Sequence, residues 1–287
     1  MSNGLERDVV RRTVSAALEE DAAKEDVTVS FLEIGERRIT AKLLALTPGV
    51  LAGLDVAREA FRQVDPHVSF EAAMRDGGRL EAGKLVANIS GAASGILSAE
   101  RVALNFLQRL SGIATLTSKF VDAVSGTGVK ILDTRKTTPR LRALEKYAVR
   151  VGGGENHRFD LKEMMLVKEN HIRAIGGIEA LIEQLDSKKA PTRIEVEVDS
   201  IECLDKILGA PVDRVMLDNF SPGEVRNAVR KIASYADKNP GFSVEVEVSG
   251  GITLDNVGRY AVLGIDFISI GALTHSAVGL NMTIEVD

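Results

Sequence analysis

Tryptophan is absent from these 287 residues, tyrosine occurs three times and phenylalanine nine times. Binders of single-stranded nucleic acid stack bases on exposed aromatic rings beside a broad basic surface. With 36 Lys and Arg against 41 Asp and Glu, a net charge of -5, this chain has neither the rings nor the charge for that role. The single cysteine, Cys203, excludes an internal disulfide framework and any multi-cysteine metal site, which suits a reducing compartment. No run approaches the roughly 18 consecutive apolar residues of a membrane span. The opening MSNGLERDVVRRTVSAALEEDAAKED also lacks the apolar centre of a secretory signal. The four histidines show no HExxH or comparable zinc spacing. What remains is a globular composition, 45% apolar and 27% charged, expected to be cytoplasmic and without nucleic-acid or membrane partners.

Charge is unevenly spread. Between Lys130 and Arg158 there are eight Lys or Arg against three acids, a local balance of +5 (8 − 3) inside a chain of -5. A solvated helix face accounts for Arg142, Lys146 and Arg150. It does not account for cations in the Gly- and Thr-rich turns, where a local anion site is the better reading.

An amphipathic helix is expected near Leu5 to Glu20, followed by a strand ending at Thr47-Pro48-Gly49, a short helix in LDVAREAFRQVD, and two strands around glycine turns in FEAAMRDGGRLEAGKLVANISG. A further helix, capped by Ser98, is expected to break at Ser111-Gly112. From about residue 115 short apolar runs alternate with helical stretches: VKILDT, LKEMMLVKEN, TRIEVEVDS, VDRVMLDN, FSVEVEVSGG and IDFISIGA. Ser221-Pro222-Gly223-Glu224 has the pattern of a capped helix start, and another helix is expected near Thr253. Six such units without hairpin turns favour parallel strands in a β/α barrel. Polar residues collect at the same end of each unit: Asp133, Arg135 and Lys136; Lys168, Asn170 and His171; Glu197; Asp218 and Asn219; Ser249-Gly250-Gly251; and Gly271. A β/α barrel carries its chemistry at the carboxyl ends of its strands. A scaffold or binding protein has little reason for this placement, so a phosphate-handling barrel enzyme is expected.

SAERVALNFLQRLSGIATLT, ILDTRKTTPRLRALEKYAVRVGGGENHRFDL, LVKENH, VMLDN, VSGGI and ISIGALTHS together resemble, in order, the carboxylating nicotinate-nucleotide pyrophosphorylases, or quinolinate phosphoribosyltransferases. That resemblance implies an α/β protein: a small amino-terminal α/β sandwich domain (1–114), an incomplete, open-faced, TIM-like β/α barrel (115–273), and a final segment (274–287) returning to the small domain. It implies Mg2+-dependent transfer of a phosphoribosyl group from 5-phosphoribosyl-1-pyrophosphate to quinolinate, releasing pyrophosphate and carbon dioxide. It also implies a homodimer in which Arg101 reaches the partner's site. Three positions depart from the family's usual residues: Arg140, where glycine is usual, Glu169, where aspartate is usual, and the turn Glu25-Asp26-Val27-Thr28.

By the same resemblance Arg101, Arg135, Lys136, His157, Arg158 and Lys168 surround quinolinate, with Lys136 and Lys168 shared with the sugar phosphates. Guanidinium groups suit planar carboxylates, and ammonium groups suit phosphate. Glu197 and Asp218 suit magnesium, directly or through water, because this ion prefers oxygen donors. Their alternative is to hold Lys136 and Lys168 by ion pairs. Glu195, two positions earlier on the same strand, is passed over for Glu197. Ser249, Gly250, Gly251, Gly271 and Ala272 are expected to cradle the 5-phosphate. The catalytic set expected is Lys136, Lys168, Glu197 and Asp218. Arg109 and Cys203 read as structural, and His171 and His275 as loop-fixing.

Overall fold

The computed structural model describes residues 5–261 and 264–287. Side-chain oxygens of Asp26, Ser200 and Ser221 accept from open backbone donors at the starts of three of its helices. In chain order the elements are α1 (Arg7–Glu20), α2 (Val27–Phe31), β1 (Arg38–Ala45), β2 (Gly49–Val50), α3 (Leu54–Val64), β3 (Ser69–Ala72), β4 (Arg79–Leu80), β5 (Leu85–Ala92) and α4 (Ala93–Ala123). They continue with β6 (Lys130–Leu132), α5 (Arg142–Val151), β7 (Met165–Val167), α6 (Glu169–Ala174), α7 (Ile178–Ser187), β8 (Ile194–Val198) and α8 (Ile201–Ile207). The chain then forms β9 (Arg214–Asp218), α9 (Pro222–Lys238), β10 (Glu245–Ser249), α10 (Val257–Ala261), β11 (Phe267–Ser269), α11 (Ala272–His275) and β12 (Met282–Val286). None of these helices is long and apolar enough to cross a membrane.

Two compact units divide the chain. The first takes the residues up to Ser118 together with Lys136–Gly154 and Ala272–Asp287. Its sheet has the order β12-β1-β5-β3, antiparallel throughout. Strand β1 alternates, with Ala41, Leu43 and Ala45 buried between more exposed neighbours, as a sheet with one packed face requires. In α1 the buried Val10, Val14 and Leu18 recur every fourth residue, giving one apolar stripe. The glycine-rich stretch before α4 holds three strands, β3 to β5, where two were expected.

The Glu25 to Thr28 turn is built around Asp26. Its Oδ1 accepts from the amides of Thr28 and Val29 at 2.9 and 3.0 Å, capping α2, and its Oδ2 accepts from the hydroxyl of Ser98 at 3.0 Å. Ser98 is therefore no helix cap: α4 begins at Ala93 and runs 31 residues, straight through Ser111-Gly112. Gly112 is small because the backbone of another segment lies against it, not because the helix ends. A Cβ there would stand 2.1 Å from the carbonyl oxygen of Val278. Ser111 Oγ bonds the backbone of Ala52.

The second unit takes Lys119–Arg135 and Glu155–Gly271. Its six strands are all parallel, in the order β6-β11-β10-β9-β8-β7. Strands β6 and β7 are successive in the chain yet stand at opposite edges, and among the described residues no pairing joins them. The barrel is thus open, with six strands in place of eight. The reciprocal capping box of α9 is present: Ser221 Oγ accepts the Glu224 amide at 3.3 Å and Glu224 accepts the Ser221 amide at 2.7 Å. The chain turns at Thr253, and helix α10 begins four residues later, at Val257.

Candidate active site

The six-stranded sheet has an apolar face and a charged one. Val196, Val198, Val215, Leu217, Val246, Val248 and Ile268 alternate onto the first and are all buried. Opposite them, the strand register aligns Glu195 with Arg214 and Arg214 with Glu245, then Glu197 with Met216 and Met216 with Glu247, then Asp218 with Ser249 and Ser249 with Ser269. Because side chains alternate along a strand, all of these share one side of the sheet. Charge on this face runs the length of the strands, from Glu195, Arg214 and Glu245 through Glu197 and Glu247 to Asp218.

Lys168, immediately after β7, forms an ion pair with Glu197 near the end of β8. The Lys168 amide donates to His171 Nδ1 at 2.9 Å, so His171 fixes the turn that presents the lysine. Asp218 at the end of β9 accepts from Asn219 Nδ2 at 2.7 Å. Asn219 takes a left-handed backbone (φ 58°) and its amide donates to Ser249 O at 2.9 Å. Glu197, Asp199, Cys203 and Asp218 line one cavity of about 290 Å3. The presence of Asp199 and Cys203 on this wall was not anticipated. Burial pushes the Cys203 thiol up, away from a reactive thiolate.

Asp133, fully buried after β6, accepts from Asn156 Nδ2 at 2.5 Å and from the His157 amide at 2.9 Å, which sets the Asn156–Arg158 turn. His157 Nδ1 accepts the Arg158 amide at 2.7 Å, so the ring proton belongs on Nε2. That nitrogen lies 3.0 Å from Glu195 and 3.6 Å from Glu247. Arg158 is buried and donates to Met164 O at 3.0 Å. Burial first, and then the charge of Arg135, lower the pKa of its guanidinium.

Beneath this turn is a cluster of which the sequence reading set Glu195 aside in favour of Glu197 and did not name Glu247. Glu195 and Glu247 are completely buried, and each places a carboxylate oxygen within 4.8 Å of the other's and of a His157 ring nitrogen. Burial pushes each carboxyl up to about 7. Arg214 offsets the remaining charge, 2.9 Å from Glu247 and 2.9 Å from Glu245, with its guanidinium 3.9 Å above the Phe267 ring. The available signal was the repeated EVEV of β8 and β10, which puts two glutamates per strand on the charged face.

The expected phosphate-cradle residues follow β10 and β11. Gly250 (φ 87°) and Gly251 (φ 64°) both need a left-handed backbone. A Cβ on Gly250 would stand 2.2 Å from Asn219 Oδ1, whereas one on Gly251 would meet nothing within 4 Å. Ser249 closes β10 and Gly271 follows β11.

The first unit contains the other three expected residues. Arg101 is exposed on α4, and Ala272 opens α11. The Lys136 carbonyl accepts from Thr274 Oγ1 at 2.7 Å. Arg140, where the resemblance calls for glycine, has φ 67° and lines a cavity of about 880 Å3 with Arg12 and Phe106. The backbone thus keeps a conformation that favours glycine. Glu169 opens α6 and pairs with Arg173 one turn on. His275 Nδ1 lies 2.6 Å from the Ser276 hydroxyl, a local contact.

Residues 26–111 match the family domain described as quinolinate phosphoribosyl transferase, N-terminal domain, and residues 113–285 match the corresponding C-terminal domain. A nicotinate-nucleotide pyrophosphorylase [carboxylating] of Mycobacterium leprae is 39% identical over 289 residues, covering 100% of both chains. A probable enzyme of the same name from Bacillus subtilis is 40% identical, covering 93% of this chain and 90% of its own. The crystal structure of NadC from Streptococcus pyogenes superposes with a TM-score of 0.90 at 39% identity, covering 100% of this chain and 99% of that one. With both domains matched along nearly the whole length, and an open six-stranded parallel barrel, the chain belongs to the quinolinate phosphoribosyl transferase family.

Proposed function

We propose that the protein transfers a phosphoribosyl group from 5-phosphoribosyl-1-pyrophosphate to quinolinate with decarboxylation, yielding nicotinate mononucleotide for NAD biosynthesis. The observation that carries this reading is the buried turn holding His157 and Arg158, fixed by Asp133 two residues before Arg135, together with the Lys168–Glu197 pair. A pyridine with two adjacent carboxylates is a planar dianion of the kind two guanidinium groups grip in parallel. The curated relatives' names point to the same chemistry.

In this reading Arg135, His157 and Arg158 hold the ring, and Lys136 and Lys168 lie between the ring and the sugar phosphates. Gly250 and Gly251 bring backbone amides against the 5-phosphate, with Ser249, Gly271 and Ala272 beside them. Glu197 and Asp218 fit magnesium by donor chemistry, being carboxylates that line one cavity. Bound there, the ion supplies charge neutralisation for departing pyrophosphate. The pyridine nitrogen attacks C1 of the ribose as the C1–O bond to pyrophosphate breaks, and the cationic side chains stabilise the leaving oxygens. The ring nitrogen is then positive. The C2–carboxylate bond breaks with its electron pair left on C2, next to that charge, carbon dioxide departs, and a proton from solvent replaces it. No further electron sink is needed. A homodimer in the cytoplasm, with Arg101 on α4 contributed to the partner's site, completes the proposal.

The test is turnover of quinolinate labelled at the C2 carboxylate, with phosphoribosyl pyrophosphate and magnesium, and nicotinate in parallel. Labelled carbon dioxide appearing with nicotinate mononucleotide is the expected result, abolished by omitting phosphoribosyl pyrophosphate or by chelating the metal. Turnover of nicotinate instead, or of neither by the folded protein, refutes the reading.

A further inference from the structure

Glu145 stands in the first turn of α5 with none of its surface exposed. A buried carboxylate has to be surrounded by donors, and four hydrogen bonds reach this one. Arg109 gives two, from Nε at 3.2 Å and Nη2 at 2.8 Å. Thr138 gives the others, from its amide at 3.0 Å and its hydroxyl at 2.7 Å. Arg109 has donors to spare, and it directs them to the carbonyls of Ala277, at 3.1 Å, and Thr274. Thr274, itself fully buried, returns its hydroxyl to the carbonyl of Lys136 at 2.7 Å.

These contacts close a ring: Arg109 to Glu145, to Thr138, back along the chain to Lys136, across to Thr274, and again to Arg109. All five residues belong to the first unit. The ring clamps the Lys136–Thr138 turn from both ends, one by a carboxylate at Thr138 and the other by a hydroxyl at Lys136. We propose that Arg109, Glu145 and Thr274 are positioning residues that fix the backbone from which Lys136 reaches its anionic substrate. The inference rests on the reading of Lys136 as a substrate-binding residue. It gives Arg109, read from the sequence as structural, a part in the reaction. A lysine on an untethered turn spreads its charge over many positions. Ordering the turn before substrate arrives removes that entropic cost from the binding step.

A purely structural ring makes a different prediction from a positioning one, and a double-mutant cycle separates them. Thr274→Val keeps the shape and deletes the bond to the Lys136 carbonyl, while Thr274→Ser keeps the bond. With wild-type Lys136, Thr274→Val is expected to lower kcat/KM for phosphoribosyl pyrophosphate about tenfold, the worth of one hydrogen bond. Thr274→Ser is expected to restore it to within about twofold. In a Lys136→Ala background the same Thr274→Val change is expected to cost less than about twofold, since the group being positioned is gone. Glu145→Gln, which weakens the opposite side of the ring, is expected to follow the same pattern. Equal losses from Thr274→Val in both backgrounds, or a loss that Thr274→Ser does not restore, overturn the proposal. If Lys136→Ala leaves quinolinate turnover intact, the substrate-binding reading of Lys136 fails and the proposal falls with it. If Lys136→Ala is impaired while Thr274→Val is not, the positioning alone fails.

Discussion

Gly250 and Gly251 are neighbours with the same backbone sign and different surroundings, so replacing each with alanine separates two physical costs. Both alanines would be held in the left-handed region, at roughly 1–2 kcal/mol each. Only the Gly250 methyl meets another group: Asn219 Oδ1 at 2.2 Å, its Cγ at 2.6 Å and its backbone nitrogen at 2.9 Å. The amide oxygen could swing away, but the backbone nitrogen is tied to Ser249 O. Overpacking of this kind costs roughly 1–3 kcal/mol more. Gly250→Ala is therefore expected to lower Tm by roughly 5–15 °C and Gly251→Ala by roughly 2–6 °C. The difference carries into function because Asn219 also orients Asp218. Displacing Asn219 loosens the carboxylate assigned to the metal, so kcat/KM for quinolinate should fall further in Gly250→Ala than in Gly251→Ala. Paired thermal melts and turnover measurements read both effects. Equal losses of Tm would show that backbone sign alone dictates these glycines, and would refute the argument from Asn219.

Arg140 has φ 67° without being glycine, so Arg140→Gly should leave stability unchanged or raise it by up to about 1 kcal/mol, read from a denaturant midpoint. Gly112→Ala should destabilise despite the roughly 1 kcal/mol that alanine gains in a helix, because its methyl would lie 2.1 Å from a backbone oxygen; Gly258→Ala in α10, with nothing within 4 Å, is the control expected to stabilise in the same melts. Glu247 is raised to about 7 in the folded state against an ordinary 4.5, so the native protein holds the extra proton and stability falls as pH rises from about 4.5 to about 7. Glu247→Gln removes that titration, and the stability of wild type relative to the variant should drop by on the order of 3 kcal/mol across this window, measured by denaturant titration at each pH.

Much of the barrel is legible in the sequence because its strands are short, repeated and followed by chemistry at one end. The Lys168, Glu197 and Asp218 positions follow from that rule, since a strand end is a local property. Glu247 was legible in principle from the EVEV alternation but lies one turn of the pleat below the strand end, where no rule for active sites looks. Gly112 shows the opposite failure. Glycine usually punctuates helices, and only the segment near Val278, distant in sequence, reveals that here it admits a close contact. The Glu145 ring was illegible for the same reason: Arg109 and Glu145 are 36 positions apart, and Lys136 and Thr274 are 138 apart. Local periodicity carries no information about which buried acid meets which distant cation.

The pairing of β12 with β1 has a consequence for how the chain is made. Lys42 and Asp287, bonded partners across that ladder, stand 245 positions apart. At a ribosome adding roughly 5–20 residues per second, β1 emerges and pairs with β5 while its other edge waits through the synthesis of the entire barrel. An uncovered strand edge is a template for pairing with a neighbouring chain. The nascent protein therefore carries that hazard for roughly 12–50 seconds, and a ribosome stalled before Met282 leaves a product with a largely complete barrel and an open, self-adhesive sheet.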